Sequence, residues 1–447
     1  MTGAVCCGGA KRCITPPDAM LRDLRGLQDV RFSGVLDDIF VRVLAVSIGG
    51  KTALVAAFEL DKVPCPREFL AAVTEATGVP EEYITLLATH IHTAPIAGYR
   101  PNEGPNFIER KPLPVQEATH AYERFLERRL LEAAREAVER LEPARLRWGS
   151  GESYVNINRV QDYMVRQSDG TVRRRCGLGQ SPAAPADRRL FVLAAETLSG
   201  RPIAFLVNYA VHNCVMIRNR CGRDGGTLMC SDLGGQVSKY LEADYPGSVA
   251  LWTSGAAGDV NPVMSNEIYY PDPETGAQLQ YELPPGDTAP IMMLQTLAAR
   301  HYEDIKAVLR KTEYKEAPDS LFGAVRWTET PGRRRGEGGD WETGAHVPPY
   351  QIRIHLLRIG MLCMVGFSGE LFTSQGLALR GVLPEDAVVF NHESSLLAES
   401  GYIFDDAVWE RDAGEALPGR RSSLMQPGYV LDAILQAVTE MYRSGRP

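Results

Sequence analysis

Hydrophobic and polar positions along the chain predict strands and helices in a mixed order. Residues 39–60 contain two apolar runs separated by Gly49 and Gly50, a pair typical of a β-hairpin turn. Residues 68–78 have the apolar spacing of an amphipathic helix that stops at a glycine, and residues 83–90 form a third apolar run. The order strand, strand, helix, strand predicts an α/β fold with a mixed β-sheet core and flanking helices.

The same kinds of pattern continue through the rest of the chain. Residues 116–141 are rich in strong helix formers, with charges of both signs, and give the clearest helix prediction. Two segments rich in Gly, Pro, Tyr or Arg, 266–289 and 330–344, are predicted as loops. We see no internal repeat and no linker, and therefore expect residues 1–447 to form one domain. The remaining predicted helices are 233–245 and 292–312, and the remaining predicted strands lie within 189–212, 248–262 and 351–370.

Composition and charge narrow the class of protein. The chain is 44% hydrophobic and 23% charged, which is ordinary for a soluble globular protein. The formal net charge of −8 argues against a nucleic-acid partner, because such partners require a basic surface. No apolar run has the length of a membrane span or of a signal-peptide core, and the cysteines form no CxxC pair. We therefore expect a cytoplasmic protein with reduced thiols and no membrane partner.

The strongest chemical signal is the sequence ATHIHTAP, residues 88–95. His90 and His92 lie two positions apart after an apolar run, and in an extended strand such side chains project from the same face. Two imidazoles on one face, where a strand becomes a loop, form half of a zinc site. The alternative is a pair of surface or hydrogen-bonded histidines, because short motifs have many false positives.

Two later residues have the character of further ligands. His212 follows the apolar run FLVNYAV, and strand ends are where α/β proteins place their chemistry. Glu370 follows MLCMVGFSG, and a carboxylate at the end of a buried strand needs compensation that a metal cation would provide. The alternative for Glu370 is a carboxylate at a helix start, held by the first-turn amides. Asp259 and Asn261, in the glycine-rich loop 255–262, could orient a ligand or cap a turn.

Together with other segments in the same order, these motifs resemble the neutral/alkaline non-lysosomal ceramidase superfamily, in its N-terminal catalytic domain. ATHIHTAP resembles the family's T-H-T-H-S-G-P, and GAAGDVNP at 255–262 resembles its G-x-x-G-D-x-S-P. Asp37 and Arg42 lie in a segment similar to its H-D-x-L-x-x-R-x-L. The resemblance extends over most of the chain. The other matching segments are CITPP at 13–17, NINR at 156–159, VNYAVH at 207–212, CSDLGG at 230–235 and FSGELFT at 367–373.

The resemblance implies a ceramidase N-terminal-domain-like fold and a zinc site. It assigns as zinc ligands His90, His212, Glu370 and a more distant tyrosine, for which Tyr402 is the candidate and a packed tyrosine the alternative. The family's catalytic serine is replaced by Asn261, and the sequence ends without the family's C-terminal domain. We therefore expect a short, divergent member that acts on a small soluble acyl amide or ester rather than on membrane ceramide.

The expected mechanism is attack of a zinc-bound hydroxide on an amide or ester carbonyl, because zinc lowers the pKa of its water to about 7. His92 is expected to hydrogen-bond that water and to shuttle its proton. Arg159 is expected to bind a carboxylate or the oxyanion of the intermediate, with a structural salt bridge as the alternative. The side-chain amide of Asn261 is expected to donate to the same oxyanion.

Two other interpretations remain open at this point. An H-x-H pair near a strand end also opens the amidohydrolase-type (β/α)₈ metal hydrolases, although the recurring hairpins argue against regular βα alternation. A non-catalytic, metal-containing binding protein could also retain the same scaffold. Cys214 and Cys230 lie near candidate site residues, and we expect them to be packing residues rather than nucleophiles.

Overall fold

The architecture of the protein is four layers, in the order α/β/β/α. Two β-sheets pack face to face across one buried apolar cluster. Helices cover the outer face of each sheet, and the other apolar clusters lie between these helices and the sheets. The predicted α/β class, with a mixed sheet core and flanking helices, is confirmed. The computed structural model describes residues 5–98, 110–272, 278–336, 339–397, 401–411, 417 and 423–445.

The helices agree with the sequence prediction where the amphipathic pattern is strong. The predicted helix 68–78 does end at Gly78, which has a φ of 71° and needs the left-handed region that glycine tolerates. None of the described helices is long and apolar enough to cross a membrane. The helices are α1 (Asp18–Leu21), α2 (Pro66–Thr77), α3 (Leu113–Glu139), α4 (Asp232–Asp244), α5 (Ala289–Leu309), α6 (Thr373–Val382), α7 (Asp406–Arg411) and α8 (Val430–Ser444).

The strands are more numerous than the sequence patterns suggest, because many are short. They are β1 (Cys6–Cys13), β2 (Phe32–Val35), β3 (Phe40–Ile48), β4 (Lys51–Phe58), β5 (Ile84–Ala88), β6 (Glu142–Glu152), β7 (Asn156–Asn158), β8 (Val160–Arg166), β9 (Val172–Leu178), β10 (Arg189–Thr197), β11 (Pro202–Tyr209), β12 (Thr227–Met229), β13 (Val249–Ser254), β14 (Val260–Pro262), β15 (Glu267–Pro271), β16 (Gln278–Glu282), β17 (Glu313–Tyr314), β18 (Leu321–Thr330), β19 (Arg333–Arg335), β20 (Trp341–Thr343), β21 (Tyr350–Ile359), β22 (Leu362–Phe367), β23 (Glu370–Leu371), β24 (Val388–Phe390) and β25 (Tyr402–Ile403).

The larger sheet has the strand order β13-β11-β10-β6-β1-β3-β4-β5. Its two outermost pairs, β11–β13 and β4–β5, are parallel, and the pairs between them are antiparallel. On β3, Val41 and Val43 pack against α2 and α3, whereas Leu44 and Val46 pack against the second sheet. This period of two is what a strand buried on both faces requires. The (β/α)₈ alternative is wrong, because that barrel closes eight parallel strands.

The second sheet has the order β18-β21-β22-β24 and supports the other half of the molecule. On β22, Leu362 and Met364 face the larger sheet, and Cys363 and Val365 face α6 and α8. The predicted hairpin within 351–370 corresponds to β21 and β22, although β22 ends at Phe367, before Glu370.

The two segments predicted as loops form short hairpins instead. Strands β15 and β16 pair within 266–289, and β19 and β20 pair within 330–344. In the second hairpin the ring of Trp341 lies beneath the guanidinium groups of Arg333 and Arg335, at 3.6 and 4.2 Å from its centroid. Two arginines of this segment are therefore stacked on an aromatic ring. Residues 273–277 and 337–338 of these segments lie outside the described residues.

Candidate metal centre

The two ends of the larger sheet meet at the candidate site. His90 lies beyond β5, and His212 lies beyond β11, near the opposite end of the strand order. A parallel bridge between Ile91 and Asn213 joins these segments, and the amide of His92 donates to the carbonyl of Asn213 at 3.2 Å. These contacts between the two ends of the strand order bring together histidines that are far apart in the sequence.

The H-x-H pair does not lie on a strand, and this part of the sequence prediction is wrong. Strand β5 ends at Ala88, and His90 has a φ of 61°, in the left-handed region that is uncommon for non-glycine residues. The alternation of an extended strand therefore does not place the two rings. They meet nevertheless, with His90 Nε2 at 3.1 Å from His92 Nε2.

The side-chain atoms of the candidate ligands converge at one point. Glu370 Oε2 lies 3.5 Å from His90 Nε2 and 3.3 Å from His212 Nε2. The hydroxyl of Tyr402 lies 3.3 Å from His212 Nε2, and Tyr402 pairs with Glu370 between the parallel strands β23 and β25. Tetrahedral zinc bonds of about 2.0–2.1 Å separate neighbouring ligand atoms by about 3.3–3.4 Å. These three distances fit a zinc-sized ion. His92 and His392 lie equally close to a possible ion, because the ligand atoms of His90, His92 and His212, and those of His90, Glu370 and His392, all lie within 4.8 Å of one another.

The far side of each ligand ring is anchored. His90 Nδ1 lies 3.0 Å from the carbonyl oxygen of Asp61 and 3.1 Å from its Oδ1. His212 Nδ1 lies 3.1 Å from the carbonyl oxygen of Val260. A carbonyl oxygen can only accept, so Nδ1 carries the proton in both rings and Nε2 faces the centre. Partners of this kind fix the tautomer of metal-ligating histidines.

Several buried polar atoms at this point have no hydrogen-bond partner. Glu370 Oε2 is within ion-pair distance of two imidazoles, but these contacts lack hydrogen-bond geometry. His92 Nδ1 and both ring nitrogens of His392 also lack a partner. An unsatisfied buried polar group costs about 1–3 kcal/mol, so such atoms are rarely clustered without a reason. A bound cation would satisfy Glu370, and the residues therefore fit a metal ion.

Burial is the largest influence on the pKa of every group at the centre. It lowers the pKa of His212 to about 4, with help from the charge of Arg159. It also lowers the pKa of His92 and His392 well below the usual value, with help from the charge of His90. Most imidazoles at the centre are therefore neutral, which is the form that binds metal.

His90 and Glu370 shift each other's pKa in opposite directions. Burial lowers the pKa of His90, but the carboxylates of Glu370 and Asp61 outweigh it and raise the pKa. Burial raises the pKa of Glu370, but His90 and His212 outweigh it and hold the pKa well below the usual value. In the metal-free protein Glu370 is therefore a carboxylate, and a metal ion would compete with the proton for His90 Nε2.

Arg159 donates hydrogen bonds to uncharged groups around the cavity. Its Nη2 donates to the carbonyl of Gly258 at 2.6 Å, and its Nη1 donates to Asn261 Oδ1 at 3.3 Å. Its guanidinium lies 5.2 Å from the centroid of the Tyr402 ring. Within the described part of the chain no acid lies within ion-pair distance of it, and its role stays a prediction.

Two polar residues of the glycine-rich loop have different surroundings. An arginine can only donate, so Asn261 presents Oδ1 to Arg159, which leaves Nδ2 for other partners. Asp259 is buried and accepts from the amide and hydroxyl of Thr373 at 2.8 Å and from Asn158 Nδ2 at 2.9 Å. Asp259 therefore braces the loop, and Asn261 lines the cavity.

A cavity of about 260 Å³ opens on the converging ligand atoms. His90, His92, Glu370 and Tyr402 lie in its wall, and Leu178 is one of its apolar lining residues. Cys214 also lines the cavity, but burial raises the pKa of its thiol well above the usual value, with help from Asp232. Burial raises the pKa of the Cys230 thiol in the same way. Neither cysteine is in the thiolate form of a nucleophile.

Sequence reasoning missed two residues of the centre. Asp61 follows β4, and the parallel pairing of β4 with β5 places it beside His90. His392 follows β24, and its ring stacks on that of His90 with a centroid distance of 3.8 Å and an interplanar angle of 15°. Both residues follow apolar runs in the sequence, AAFEL before Asp61 and AVVF before Asn391 and His392, so a polar residue after such a run was a usable signal for both.

Known structures share this architecture. The crystal structure of neutral ceramidase from Pseudomonas aeruginosa is similar over 98% of this chain and 74% of its own, with a TM-score of 0.67 and 17% identity. A ceramidase complexed with C2 is similar over 100% of this chain and 76% of its own, with a TM-score of 0.69 and 16% identity. No family model and no curated protein matches the sequence. The chain has the ceramidase fold, so the resemblance predicted from its motifs is confirmed at the level of the fold.

Proposed function

We propose that the protein is a zinc-dependent hydrolase that cleaves the amide, or ester, bond of a small soluble acyl compound. One observation carries this proposal: two histidine Nε2 atoms, a buried carboxylate oxygen without a hydrogen-bond partner and a phenol oxygen converge at the wall of a cavity. The ceramidase fold of the chain supports acyl-amide hydrolysis as the reaction.

The ion would be held by His90, His212, Glu370 and Tyr402. When bound, zinc supplies a water whose pKa is lowered to about 7 and polarises a carbonyl oxygen. The two imidazoles are fixed as Nε2 ligands by the bonds of their Nδ1 atoms. Burial raises the pKa of Tyr402, so its phenol is neutral until a cation lies beside it.

The other residues of the cavity would handle the proton and the oxyanion. His92 is kept neutral, so it can accept the proton of the attacking water and return it to the leaving amine. The water oxygen bonds to the carbonyl carbon, the carbon–nitrogen bond breaks, and the products are a carboxylic acid and an amine. Arg159 holds Asn261 by its Oδ1, so that Nδ2 can donate to the oxyanion where the ceramidase motif has serine.

The size of the cavity supports a small substrate. Its volume of about 260 Å³ lies below the range of about 300–1,000 Å³ that is typical of drug-sized ligand sites. Hexanoyl or shorter acyl chains are therefore the first compounds to examine.

The metal content of purified protein tests the proposal. We expect about one zinc per chain in the wild type and almost none in His90→Ala, His212→Ala or Glu370→Ala. The matched control is His120→Ala, because the His120 side chain is 48% exposed on α3 and pairs with Glu123, away from the centre. Full zinc in all three ligand variants contradicts the metal assignment.

Turnover is measured on the same preparations with a panel of N-acyl amides, peptides and esters. Hydrolysis by the wild type and by His120→Ala, together with its loss in the ligand variants, is the expected result. Zinc bound without turnover of any acyl compound would instead favour a metal-containing binding protein.

A further inference from the structure

We infer that the acyl compound carries a carboxylate, which binds between Lys62 and Arg159 in the wall of the cavity. This inference rests on the proposed function and specifies its substrate class. The charges that line the cavity support the inference, because these charges decide which ligand the site can accept.

Lys62 is a cation in the wall of the cavity, at the edge of the centre. It follows Asp61, is half-buried and lines the cavity together with His90 and Glu370. Among the residues that the structure describes, no acid lies within ion-pair distance of its ammonium group.

Arg159 is a second cation in the wall of the cavity, and none of the acids that the structure describes lies within ion-pair distance of it. It is 6% exposed, donates to the carbonyl of Gly258 and to the side-chain oxygen of Asn261, and interacts with the side chain of Tyr402. Guanidinium has five N–H donors, so these contacts leave donors for a ligand. Buried charges are normally paired, so an anion is the expected complement.

The acids of the cavity wall have partners of their own. Glu267 lies 2.9 Å from Arg218 Nε and accepts from Gln280 at 3.0 Å. Asp61 is bonded to His90, and Glu370 is committed to the candidate metal ion. A divalent ion would add positive charge to that of Lys62 and Arg159, so the filled site has a positive excess that favours an anionic substrate.

The rest of the lining is apolar enough for a short acyl chain. Leu27, Leu178 and Ile217 contribute to the same wall. A small molecule with an apolar part, an amide and a carboxylate matches both halves of the cavity. N-acyl amino acids, with the carboxylate on the amine side, and monoamides of dicarboxylic acids, with the carboxylate on the acyl side, share this chemistry.

Paired substrates that differ only in charge test the inference. The first pair is N-hexanoylglycine and N-hexanoylglycinamide, both measured by release of hexanoate. The second pair is N-propylsuccinamate and N-propylbutanamide, both measured by release of propylamine. We expect kcat/KM of the zinc-loaded wild type to be about 10–100-fold higher for the acid in one pair, since a hydrogen bond to a charged group is worth about 1.5–3 kcal/mol. The pair that shows the preference identifies the side on which the carboxylate lies.

Variants of Lys62 separate its contribution from direct binding of the carboxylate to the metal. Lys62→Met should reduce the acid-to-neutral ratio of kcat/KM about tenfold or more, mainly through KM, and Lys62→Arg should retain most of it. The matched control is Lys311→Met, at an exposed lysine beyond α5, which should keep the wild-type ratio. A wild-type ratio of one or below, or an unchanged ratio in Lys62→Met, overturns the inference.

Binding provides a measurement that does not need turnover. We expect the acid of one pair, N-hexanoylglycine or N-propylsuccinamate, to bind the zinc-loaded wild type at least tenfold more tightly than its neutral counterpart, and to lose this preference in Lys62→Met. If that preference is found but no amide is hydrolysed, the anion site stands and the proposed hydrolase function fails. If amides are hydrolysed without any preference for the acid, the hydrolase function stands and the anion site fails.

Discussion

Two buried histidine clusters in this protein have opposite hydrogen-bonding states. At the metal centre, Glu370 Oε2, His92 Nδ1 and both ring nitrogens of His392 have no hydrogen-bond partner. In the second cluster, His301 lies between α5 and the larger sheet, and its Nε2 accepts from the indole N–H of Trp252 at 3.3 Å. Its Nδ1 therefore carries the proton and donates to Ser153 at 2.9 Å.

The two clusters differ in whether their buried polar atoms have hydrogen-bond partners, and not in burial or in having a shifted pKa. Burial lowers the pKa of His301 to about 3, and burial with Arg159 lowers that of His212 to about 4. A shifted pKa alone would therefore select both clusters as functional candidates. The cluster with satisfied atoms has a structural role, whereas the one with unsatisfied atoms is arranged for something that the chain itself does not supply.

Among the variants that test this difference, His92→Ala is expected to change turnover the most. We expect this variant to keep about one zinc per chain and to lose about 10²–10⁴-fold in turnover, the usual range for a general acid or base. The reason is that His92 Nδ1 is not anchored, whereas the Nδ1 atoms of His90 and His212 are. Elemental analysis and kcat on the same sample check it. Loss of zinc would mean that His92 is itself a ligand.

Asn261→Ala is expected to have the next largest effect. If Nδ2 donates to the oxyanion, kcat should fall about 10²–10³-fold, with a smaller change in KM, because such donors act mainly in the transition state. Asn261→Ser is the matched variant, since it restores the hydroxyl of the ceramidase motif and should recover part of kcat. An equal loss in both variants would show that Asn261 only supports Arg159.

A pair of stability measurements tests the comparison directly. His301→Phe leaves the indole N–H of Trp252 without an acceptor, so the free energy of unfolding should fall by about 1–3 kcal/mol. His392→Phe is similar in shape and removes two unsatisfied nitrogens, so metal-free protein should lose less than about 0.5 kcal/mol or become more stable. Chemical denaturation in the presence of a chelator checks both. Equal losses would show that the two clusters do not differ.

Much of the fold was predictable because its signals are local. The hairpin at Gly49 and Gly50 and the helices α2 and α3 depend on turn chemistry and periodicity that a short window contains. Strand β1 was not predicted, although it lies in the middle of the larger sheet. Its sequence contains Gly8 and Gly9, and a Cβ at Gly8 would collide with the carbonyl of Ala137 on α3. A close approach between distant segments required the glycine, and no local pattern reveals it.

The candidate site was predicted in part for the same reason. His90, His212 and Glu370 follow apolar strands, so each is marked by its own neighbours in the sequence. Asp61 and His392 also follow apolar runs, but the parallel pairs β4–β5 and β22–β24 bring them to the centre, and no local sequence pattern reveals these pairs. The division of the chain into domains, and the roles assigned to the individual site residues, stay predictions.

His301 is expected to make the free energy of unfolding depend slightly on pH. Its pKa is about 3 in the folded protein and about 6.5 in the unfolded chain, so the unfolded chain binds more protons between these values. Stability from His301 is therefore fully present above pH 6.5 and is lost progressively as the pH falls towards 3. Between pH 7 and pH 6 the expected loss is about 0.7 kcal/mol. Denaturation of chelator-treated wild type and His301→Phe at both pH values measures it. The variant should show a smaller loss by about this amount, and equal losses would mean that His301 accepts its proton in the folded state as readily as in the unfolded chain.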